Sequence, residues 1–168
     1  MDGRGFTLLE LLLALALVAV LAAAGVPALR EFIRDCQRAA AVNALLQAIH
    51  NGRRLAAVSG RLVELCPTRD GLDCTGDGRW EGDLLLRQRS AGDLQPRVLP
   101  STGHRASGTI RGNRAALTFS PLRPAATTAT FTLCDDRGPR AAVAVVVSRS
   151  GRPRVARHDS SGRPLACP

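Results

Sequence analysis

Four arginines follow one another closely near the C-terminus of the chain, and their spacing suits the binding of phosphate groups. They are Arg149, Arg152, Arg154 and Arg157, and no acidic residue stands between them. Arg152 and Arg154 are two residues apart, so on an extended segment their side chains point to the same side. Because a guanidinium group forms paired hydrogen bonds with phosphate oxygens, these residues are a candidate clamp for a phosphate backbone.

The net charge of the chain is concentrated in the same segment. The 168 residues carry a formal charge of +9, from 23 basic residues that are all arginine and 14 acidic ones. Residues 137–168 hold seven of those arginines and a single acid, which makes this tail +6. Such a charge indicates an anionic partner, although an arginine-biased chain with a solvated tail is the alternative. Since the chain has one Trp and no Tyr, backbone contact is favoured over base stacking or sequence readout.

The five cysteines include four that suit disulfide bonds in an extracytoplasmic domain. Cys66 and Cys74 enclose a short loop, across which a bridge is geometrically easy, and a bond between Cys134 and Cys167 would tie the C-terminal tail to the rest of the domain. Four cysteines allow three pairings, and spacing does not choose among them. Cys36 is left over on the apolar face of a predicted helix, where we expect a small buried hydrophobic side chain.

Metal binding and catalysis have little support in the sequence. Asp70, Asp73 and Asp77 lie in a Gly-rich loop, but their spacing does not fit an EF-hand, so we predict a solvated disulfide loop and no metal site. The three histidines show no ligand spacing, and the adjacency of His158 and Asp159 to a serine is not evidence for a triad. The absence of Lys excludes Schiff-base and P-loop chemistry. We therefore predict a protein that is not an enzyme, with no catalytic residue and no cofactor.

An apolar run near the N-terminus contains one charge. From Phe6 to Val26 the chain reads FTLLELLLALALVAVLAAAGV, which is long enough as a helix to cross a hydrocarbon core of about 30 Å. A cleaved signal peptide is disfavoured because the apolar run is too long and only five residues precede it. A plain single-pass anchor is the stronger alternative, but it does not explain Glu10, since a carboxylate inside a membrane helix costs about 2–3 kcal/mol unless it is paired.

The rest of the chain predicts the elements that must position these residues. After Pro27 apolar residues recur at spacings of three and four, which predicts a helix that continues to Gly60. The residues of this apolar face are Leu29, Phe32, Ile33, Cys36, Ala40, Leu45, Leu46, Ile49 and Ala56. Short strands are predicted at 61–66, 83–89, 108–111, 115–119, 129–134, 141–148 and 152–157. We expect 141–147 to be a central strand, and Pro153 makes the last segment an edge strand or a loose tail. The predicted fold class is α+β, a long helix followed by an antiparallel sheet.

The N-terminal residues Gly5-Phe6-Thr7-Leu8-Leu9-Glu10 and the unbroken apolar helix resemble the class III leader of type IV pilins and pseudopilins. The resemblance implies that a prepilin peptidase cuts after Gly5 on the cytoplasmic side and that Phe6 becomes the N-methylated first residue. Glu10 would then serve filament assembly, because the α-ammonium of Phe6 in a neighbouring subunit can pair with its buried carboxylate. Pro27 stands where many pilins have a helix-kinking proline.

The globular part is similar to the GspH/FimT family of pilin-like proteins. The resemblance rests on Leu65-Cys66, on Trp80-x-Gly82, on Thr132-Leu133-Cys134 and on the segment Gly151-Arg152-Pro153-Arg154. It implies a type IV pilin-like fold with a leader at 1–5, a transmembrane and filament-core helix at 6–27, an amphipathic helix at 28–60 and a β-rich periplasmic domain at 61–168. The expected location is the bacterial inner membrane as a single-pass protein, and a pilus or pseudopilus after assembly.

The basic tail resembles the DNA-binding GRxR tail of FimT-type minor pilins in naturally competent bacteria. Gly151, Arg152 and Arg154 match that motif, and we add Arg149 and Arg157 on electrostatic grounds. The expected partners are double-stranded DNA, other pilins through the N-terminal helix, and the prepilin peptidase. One alternative is a structural H-type pseudopilin of a type II secretion system, whose tail would be a protein interface. Another is a generic single-pass periplasmic binding module.

Overall fold

The computed structural model describes residues 7–89, 97–99, 108–121 and 125–167. It has the α+β architecture that the sequence predicts, a long helix followed by antiparallel strands. The elements are α1 (Leu8–Ser59), β1 (Leu62–Thr68), β2 (Asp83–Arg89), β3 (Arg97–Leu99), β4 (Gly108–Gly112), β5 (Leu117–Ser120), β6 (Ala125–Ala126), β7 (Ala129–Asp135), β8 (Val143–Val147) and β9 (Pro153–Ala156), with one turn of 3-10 helix at Gly138–Arg140. The chain divides into two compact units, Met1–Cys36 and Gln37–Pro168.

The first unit is the apolar part of α1. A window of 18 residues in this helix has a mean hydropathy of 2.6 and no residue buried within the chain, so by length and composition it can cross a membrane. The helix runs through Pro27, which has no N–H to donate to the carbonyl of Ala23. The prediction that Cys36 is buried is wrong, because Cys36 is exposed and unpaired, and Phe32 is 65% exposed. Among the described residues of this unit, no other element covers this stretch of the predicted apolar face.

The C-terminal part of α1 supplies the helical side of the domain core. Its buried residues are Val42, Leu45, Ala48, Ile49, Gly52 and Ala56. Gly52 allows a close approach to the first sheet, since a Cβ there would lie 2.6 Å from Cε2 of Phe119. The helix ends as predicted, because Gly60 adopts a φ of 64° that suits the residue after a helix C-terminus.

The strands form two antiparallel sheets where the sequence predicted one. Sheet A has the order β3-β2-β1-β5-β6, and sheet B has the order β4-β7-β8-β9. The seven predicted strand positions all contain strands, and β8 is interior in sheet B as expected. The short strands β3 and β6 were not predicted. The division arises because β4 pairs with β7 instead of with its neighbour β5, and such a long-range pairing has no local signal.

Both faces of sheet B are covered. The inner face carries Phe131, Val145 and Val147 into a core shared with α1 and sheet A, and Trp80 packs edge-on against Phe131 at 4.6 Å between ring centroids. The outer face carries a smaller cluster, in which Leu165 from the tail packs with residues of β7 and β8. The members of the outer cluster are Cys134, Ala142, Ala144, Val146 and Leu165, with Ala156 and Cys167 packed against them.

A group of charged side chains joins α1 to sheet B. Arg38 of the helix donates a hydrogen bond from Nη1 to the carbonyl oxygen of Ala141, and the same nitrogen lies 3.9 Å from Oδ2 of Asp135. Arg137 donates to the same carboxylate, with Nη2 at 2.6 Å from Oδ2. The side chain of Asp135 is only 9% exposed. Hydrogen bonds from Arg137, together with the nearby charge of Arg38, hold the pKa of Asp135 below its ordinary value.

We expect Asp135→Asn to lower the free energy of unfolding by about 1–3 kcal/mol at pH 7, because the amide removes the negative charge that Arg38 and Arg137 share. The folded-state pKa of Asp135 lies below the ordinary value of 3.8. Its contribution is therefore complete at neutral pH and declines as the pH falls below about 4, so the difference between wild type and variant should narrow there. Urea unfolding across this pH range measures the effect.

The matched control is Asp73→Asn, because the side chain of Asp73 is 85% exposed and its ion pair among the described residues is a 3.8 Å contact with Arg87. We expect this variant to lie within about 0.5 kcal/mol of wild type. Two results would contradict the role assigned to Asp135. One is an equal loss of unfolding free energy in the two variants. The other is a difference between wild type and Asp135→Asn that stays constant as the pH falls below about 4.

Candidate nucleic-acid interface

The hairpin between β8 and β9 presents the predicted arginine cluster. Its turn is closed by a hydrogen bond of 2.8 Å from the amide of Gly151 to the carbonyl oxygen of Ser148. The amide of Ser148 donates in turn to the carbonyl oxygen of Arg152 at 3.1 Å, and the Ser148 hydroxyl lies 2.9 Å from that of Ser150. These bonds order the turn and place Arg152 at the start of an extended segment.

The register of β9 sets the direction of two arginine side chains. Arg154 stands opposite Val146, whose side chain belongs to the outer face of sheet B. Arg152 is two residues away and shares that face by strand alternation. Arg157 follows the last residue of β9 at a bend, and Arg149 lies in the turn. The strand pairing therefore does not show whether these two side chains share the outer face with Arg152 and Arg154. All four arginines are exposed.

Pro153 lies on the free edge of the sheet, as predicted for an edge strand. Since Ser148 bonds with Arg152, the hydrogen-bonded pairs continue at Arg154 and Ala156, and the backbone of Pro153 faces away from β8. Pro153 therefore removes a donor only from the unpaired edge, where it also discourages the addition of another strand.

The structure separates the arginines of the tail into paired and unpaired ones. Arg137 is neutralised by Asp135, and Nε of Arg163 lies 3.0 Å from Oδ2 of Asp159. In the part of the chain that the structure describes, the side chains of the four hairpin arginines form no ion pair and no hydrogen bond. Their charges are therefore available to an external anion.

The last ten residues of the described chain fold back over sheet B. Asp159 turns the chain by accepting hydrogen bonds from the amides of Ser161 and Arg163, and these bonds lower the pKa of its carboxyl group. The chain then returns through Leu165, and a disulfide joins Cys167 to Cys134 with their Cα atoms 5.8 Å apart. The tail is thus fixed against the outer face, beside the strand that carries Arg154.

The second disulfide joins Cys66 and Cys74 across a loop whose aspartate side chains accept hydrogen bonds from the loop itself. Asp70 accepts hydrogen bonds from the amides of Leu72 and Asp73, and the bond from Leu72 is the main reason that its pKa is lowered. Asp77 likewise accepts from the Thr75 hydroxyl and the amide of residue 79. Within the described ranges no cluster of three acidic, His or Cys side chains could hold a metal ion.

The N-terminus of α1 gives Glu10 a partner inside its own chain. Oε2 of Glu10 accepts hydrogen bonds from the amide of Thr7 at 2.9 Å and from its hydroxyl at 3.0 Å, while the Thr7 hydroxyl accepts from the amide of Glu10. This is a capping box, in which two backbone donors at the helix start are satisfied reciprocally. The predicted cleavage and methylation residues, Gly5 and Phe6, lie outside the described residues.

One residue near the hairpin was not anticipated. Arg53 of α1 lies against Gly151, with its Cδ 3.0 Å from the position that a Cβ of residue 151 would take. Nothing local in the sequence relates residues that are so far apart in the chain. The only available signal is the glycine itself, since a glycine in a strand hairpin often marks a close approach of another group.

Comparisons with known proteins agree with the fold. A family model described as Type II transport protein GspH matches residues 41–151, and a model described as a prokaryotic N-terminal methylation motif matches residues 2–26. No curated protein sequence matches the chain. The GspH match ends at Gly151, so the positively charged strand β9 lies beyond it.

Two crystal forms of the type IV minor pilin FimU of Pseudomonas aeruginosa, strain PAO1, are similar in structure. The first has a TM-score of 0.55 and 19% identity, and it covers 77% of this chain and 98% of that chain. The second has a TM-score of 0.57 and 20% identity, and it covers 80% of this chain and 96% of that chain. At this level of identity the likeness establishes the fold.

The two disulfides should differ in their contribution to stability, because they close loops of different length. The sequence separations are 33 for Cys134–Cys167 and 8 for Cys66–Cys74. In the chain-entropy model the longer loop contributes about 4 kcal/mol and the shorter about 2.5 kcal/mol. Cys167→Ala should therefore lower the free energy of unfolding by more than Cys74→Ala.

Both variants are best compared by urea unfolding in a Cys36→Ser background, so that the freed thiol has no exposed cysteine with which to exchange. If Cys74→Ala lowers the free energy of unfolding by more than Cys167→Ala does, the expected order is wrong and the tail is not held mainly by its disulfide.

Proposed function

The chain belongs to the GspH family of pilin-like subunits, and from that premise we propose that it is a minor pilin of a type IV pilus which binds double-stranded DNA without sequence preference during DNA uptake. The observation that carries this proposal is the set of four exposed arginines on the β8–β9 hairpin, which have no carboxylate partner among the described residues. They are Arg149, Arg152, Arg154 and Arg157.

The chemistry of this surface suits the phosphate backbone better than the bases. Each guanidinium group can donate two hydrogen bonds to one phosphate group, and the ordered turn lowers the backbone entropy that is lost on binding. The single tryptophan, Trp80, is buried in the core, so it is not available to stack on a base. Binding through charge alone makes the affinity fall steeply as the salt concentration rises.

The N-terminal half supports the proposal that the protein is a filament subunit. The methylation-motif match spans residues 2–26, which include Gly5, Phe6 and Glu10. We propose that the peptidase cuts after Gly5, that Phe6 is methylated, and that Glu10 pairs with the α-ammonium group of a neighbouring subunit in the filament. Before assembly the apolar helix holds the protein in the inner membrane, with the domain in the periplasm, where its two disulfides persist.

A second candidate function is a structural H-type pseudopilin of a type II secretion system. The description of the matching family model, Type II transport protein GspH, favours it. In that case the arginine-rich hairpin would contact another protein of the machine. The same substitutions distinguish the two candidates. For a minor pilin that binds DNA, loss of the arginines lowers the DNA affinity. For a structural pseudopilin, it alters secretion or assembly, and the DNA affinity is negligible in wild type and variants alike.

We expect the double substitution Arg152→Ala/Arg154→Ala to weaken binding of duplex DNA to a similar extent for all sequences. Each lost phosphate contact should reduce the slope of log K against log salt by about 0.9, so the double variant should lose about 1.8. Titration of the full chain in nonionic detergent micelles with a labelled duplex, between about 50 and 200 mM salt, measures both quantities.

The matched control is Arg69→Ala/Arg163→Ala, which makes the same change in net charge. Both of these arginines are highly exposed, at 78% and 77%, but each is paired with a carboxylate. The control should retain most of the wild-type affinity and slope. Wild-type protein that fails to bind duplex DNA at low salt, or equal losses in the two double variants, would refute the DNA-binding proposal.

Glu10→Gln should separate the two roles of Glu10. Glutamine at the same position can complete the capping box with Thr7, so the helix start is preserved. The neutral amide cannot pair with an ammonium group, and we expect the amount of subunit in sheared filaments to fall by more than about tenfold. Immunoblots of the sheared fraction measure assembly, and mass spectrometry checks that the leader is still removed.

The companion variant Thr7→Ala removes the cap and keeps the charge, so its assembly should stay closer to that of wild type. If Thr7→Ala fails to assemble and Glu10→Gln does not, the cap and not the charge is the feature that the filament requires.

A further inference from the structure

The turn of the hairpin lies against α1 at one arginine. A Cβ at position 151 would come within 3.0 Å of Cδ and 3.2 Å of Nε of Arg53, and within 3.2 Å of Cβ of Ala126. Arg53 is half-buried. On the helix surface it lies at the boundary between the buried face, which contains Gly52 and Ala56, and the exposed face, which contains Arg54. The side-chain stem of Arg53 therefore passes beside the turn that carries Arg149 and leads into Arg152.

Two features make glycine the residue that position 151 requires. The backbone of Gly151 has a φ of 71°, in the left-handed region that other residues rarely adopt. In addition, a Cβ at position 151 would be tight against Cδ of Arg53 at 3.0 Å, so the Arg53 side chain would have to shift. The first requirement is common to many turns, whereas the second comes from two neighbours, the Arg53 side chain and Cβ of Ala126. The glycine of the GRPR segment thus leaves room for a helix arginine at the turn of the hairpin.

The charge of Arg53 is not neutralised by an ion pair within the described part of the chain. No carboxylate there forms an ion pair with it, in contrast to Arg38, Arg87 and Arg137. Its stem is held between the helix and the turn, so less rotamer freedom remains to be lost when the guanidinium group binds a ligand. A guanidinium group that is positioned at the turn of the arginine-bearing hairpin, and that has no ion pair among the described residues, has the chemistry of a phosphate contact.

We infer that Arg53 is a further phosphate-binding residue of the hairpin surface, and that Gly151 serves this surface by leaving room for the Arg53 side chain. The inference rests on the proposed function, since the ligand is the same DNA backbone. It extends the interface around the turn, from the outer face of sheet B, which carries Arg152 and Arg154, to the last turns of α1 on the inner side. The interface is then built from two elements that the tertiary fold brings together.

Arg53→Gln and Arg54→Gln form a matched pair for the test. They remove the same charge from adjacent helix positions, but Arg54 is exposed, and the atoms nearest to a Cβ at position 151 belong to Arg53 and Ala126. Using the full chain in nonionic detergent and a labelled duplex, we expect Arg53→Gln to weaken binding about five- to tenfold and to reduce the salt slope by about 0.9. Arg54→Gln should change the affinity less than about twofold, through the change in net charge alone.

Gly151→Ala supplies a second measurement. It should weaken binding more in the wild-type background than in Arg53→Ala, because part of its effect is displacement of the Arg53 side chain. Thermal unfolding of each variant accompanies the titrations, since a purely structural Arg53 would alter the melting temperature and leave the salt slope unchanged.

The outcomes distinguish the two proposals. If wild type binds DNA and Arg152→Ala/Arg154→Ala weakens binding, but Arg53→Gln equals Arg54→Gln in affinity and slope, the inference on Arg53 is wrong and the proposed function stands. If wild type does not bind duplex DNA at low salt, both are overturned. A specific loss in Arg53→Gln, with the slope change and the non-additive effect of Gly151→Ala, supports the inference.

Discussion

The contact between the C-terminal half of α1 and the two sheets is the interaction on which the rest of the domain depends. Gly52 lets the helix approach Phe119 of sheet A without a side chain between them. Arg38, four turns earlier, bonds with the carbonyl oxygen of Ala141 and lies near Asp135 at the end of β7. The helix is thus fixed to both sheets, and its position decides which groups reach the hairpin between β8 and β9.

That position also decides which arginines are structural and which are available. The chain has 23 arginines, and composition alone makes them equivalent. In the folded domain Arg38 and Arg137 share Asp135, Arg87 pairs with Glu64, and Arg163 pairs with Asp159. The arginines of the hairpin extend from an ordered turn and an edge strand that carry no acidic residue. A positive surface therefore arises from the distribution of carboxylates as much as from the arginines themselves.

Local patterns in the sequence were enough for the elements but not for their assembly. Short segments between turns predicted the seven strands, Gly60 predicted the end of α1, and Pro153 predicted an edge strand or a loose tail, because each depends on the conformation of a few adjacent residues. The apolar face of the helix was predicted as one stripe, yet Phe32 and Cys36 are exposed and burial begins near Val42. Helical periodicity shows that a face is apolar; it does not show whether anything in the same chain covers it.

The order of residues along the chain was sufficient to indicate a membrane-length helix, the α+β class and the arginine cluster at the hairpin, since hydrophobic runs, periodicity and charge are properties of neighbouring residues. The pairing of the four bonded cysteines, the division into two sheets and the approach of Arg53 to Gly151 depend on residues distant in sequence. Those contacts form only when the helix and the sheets bury their apolar faces together, so the packing of the folded domain determines them.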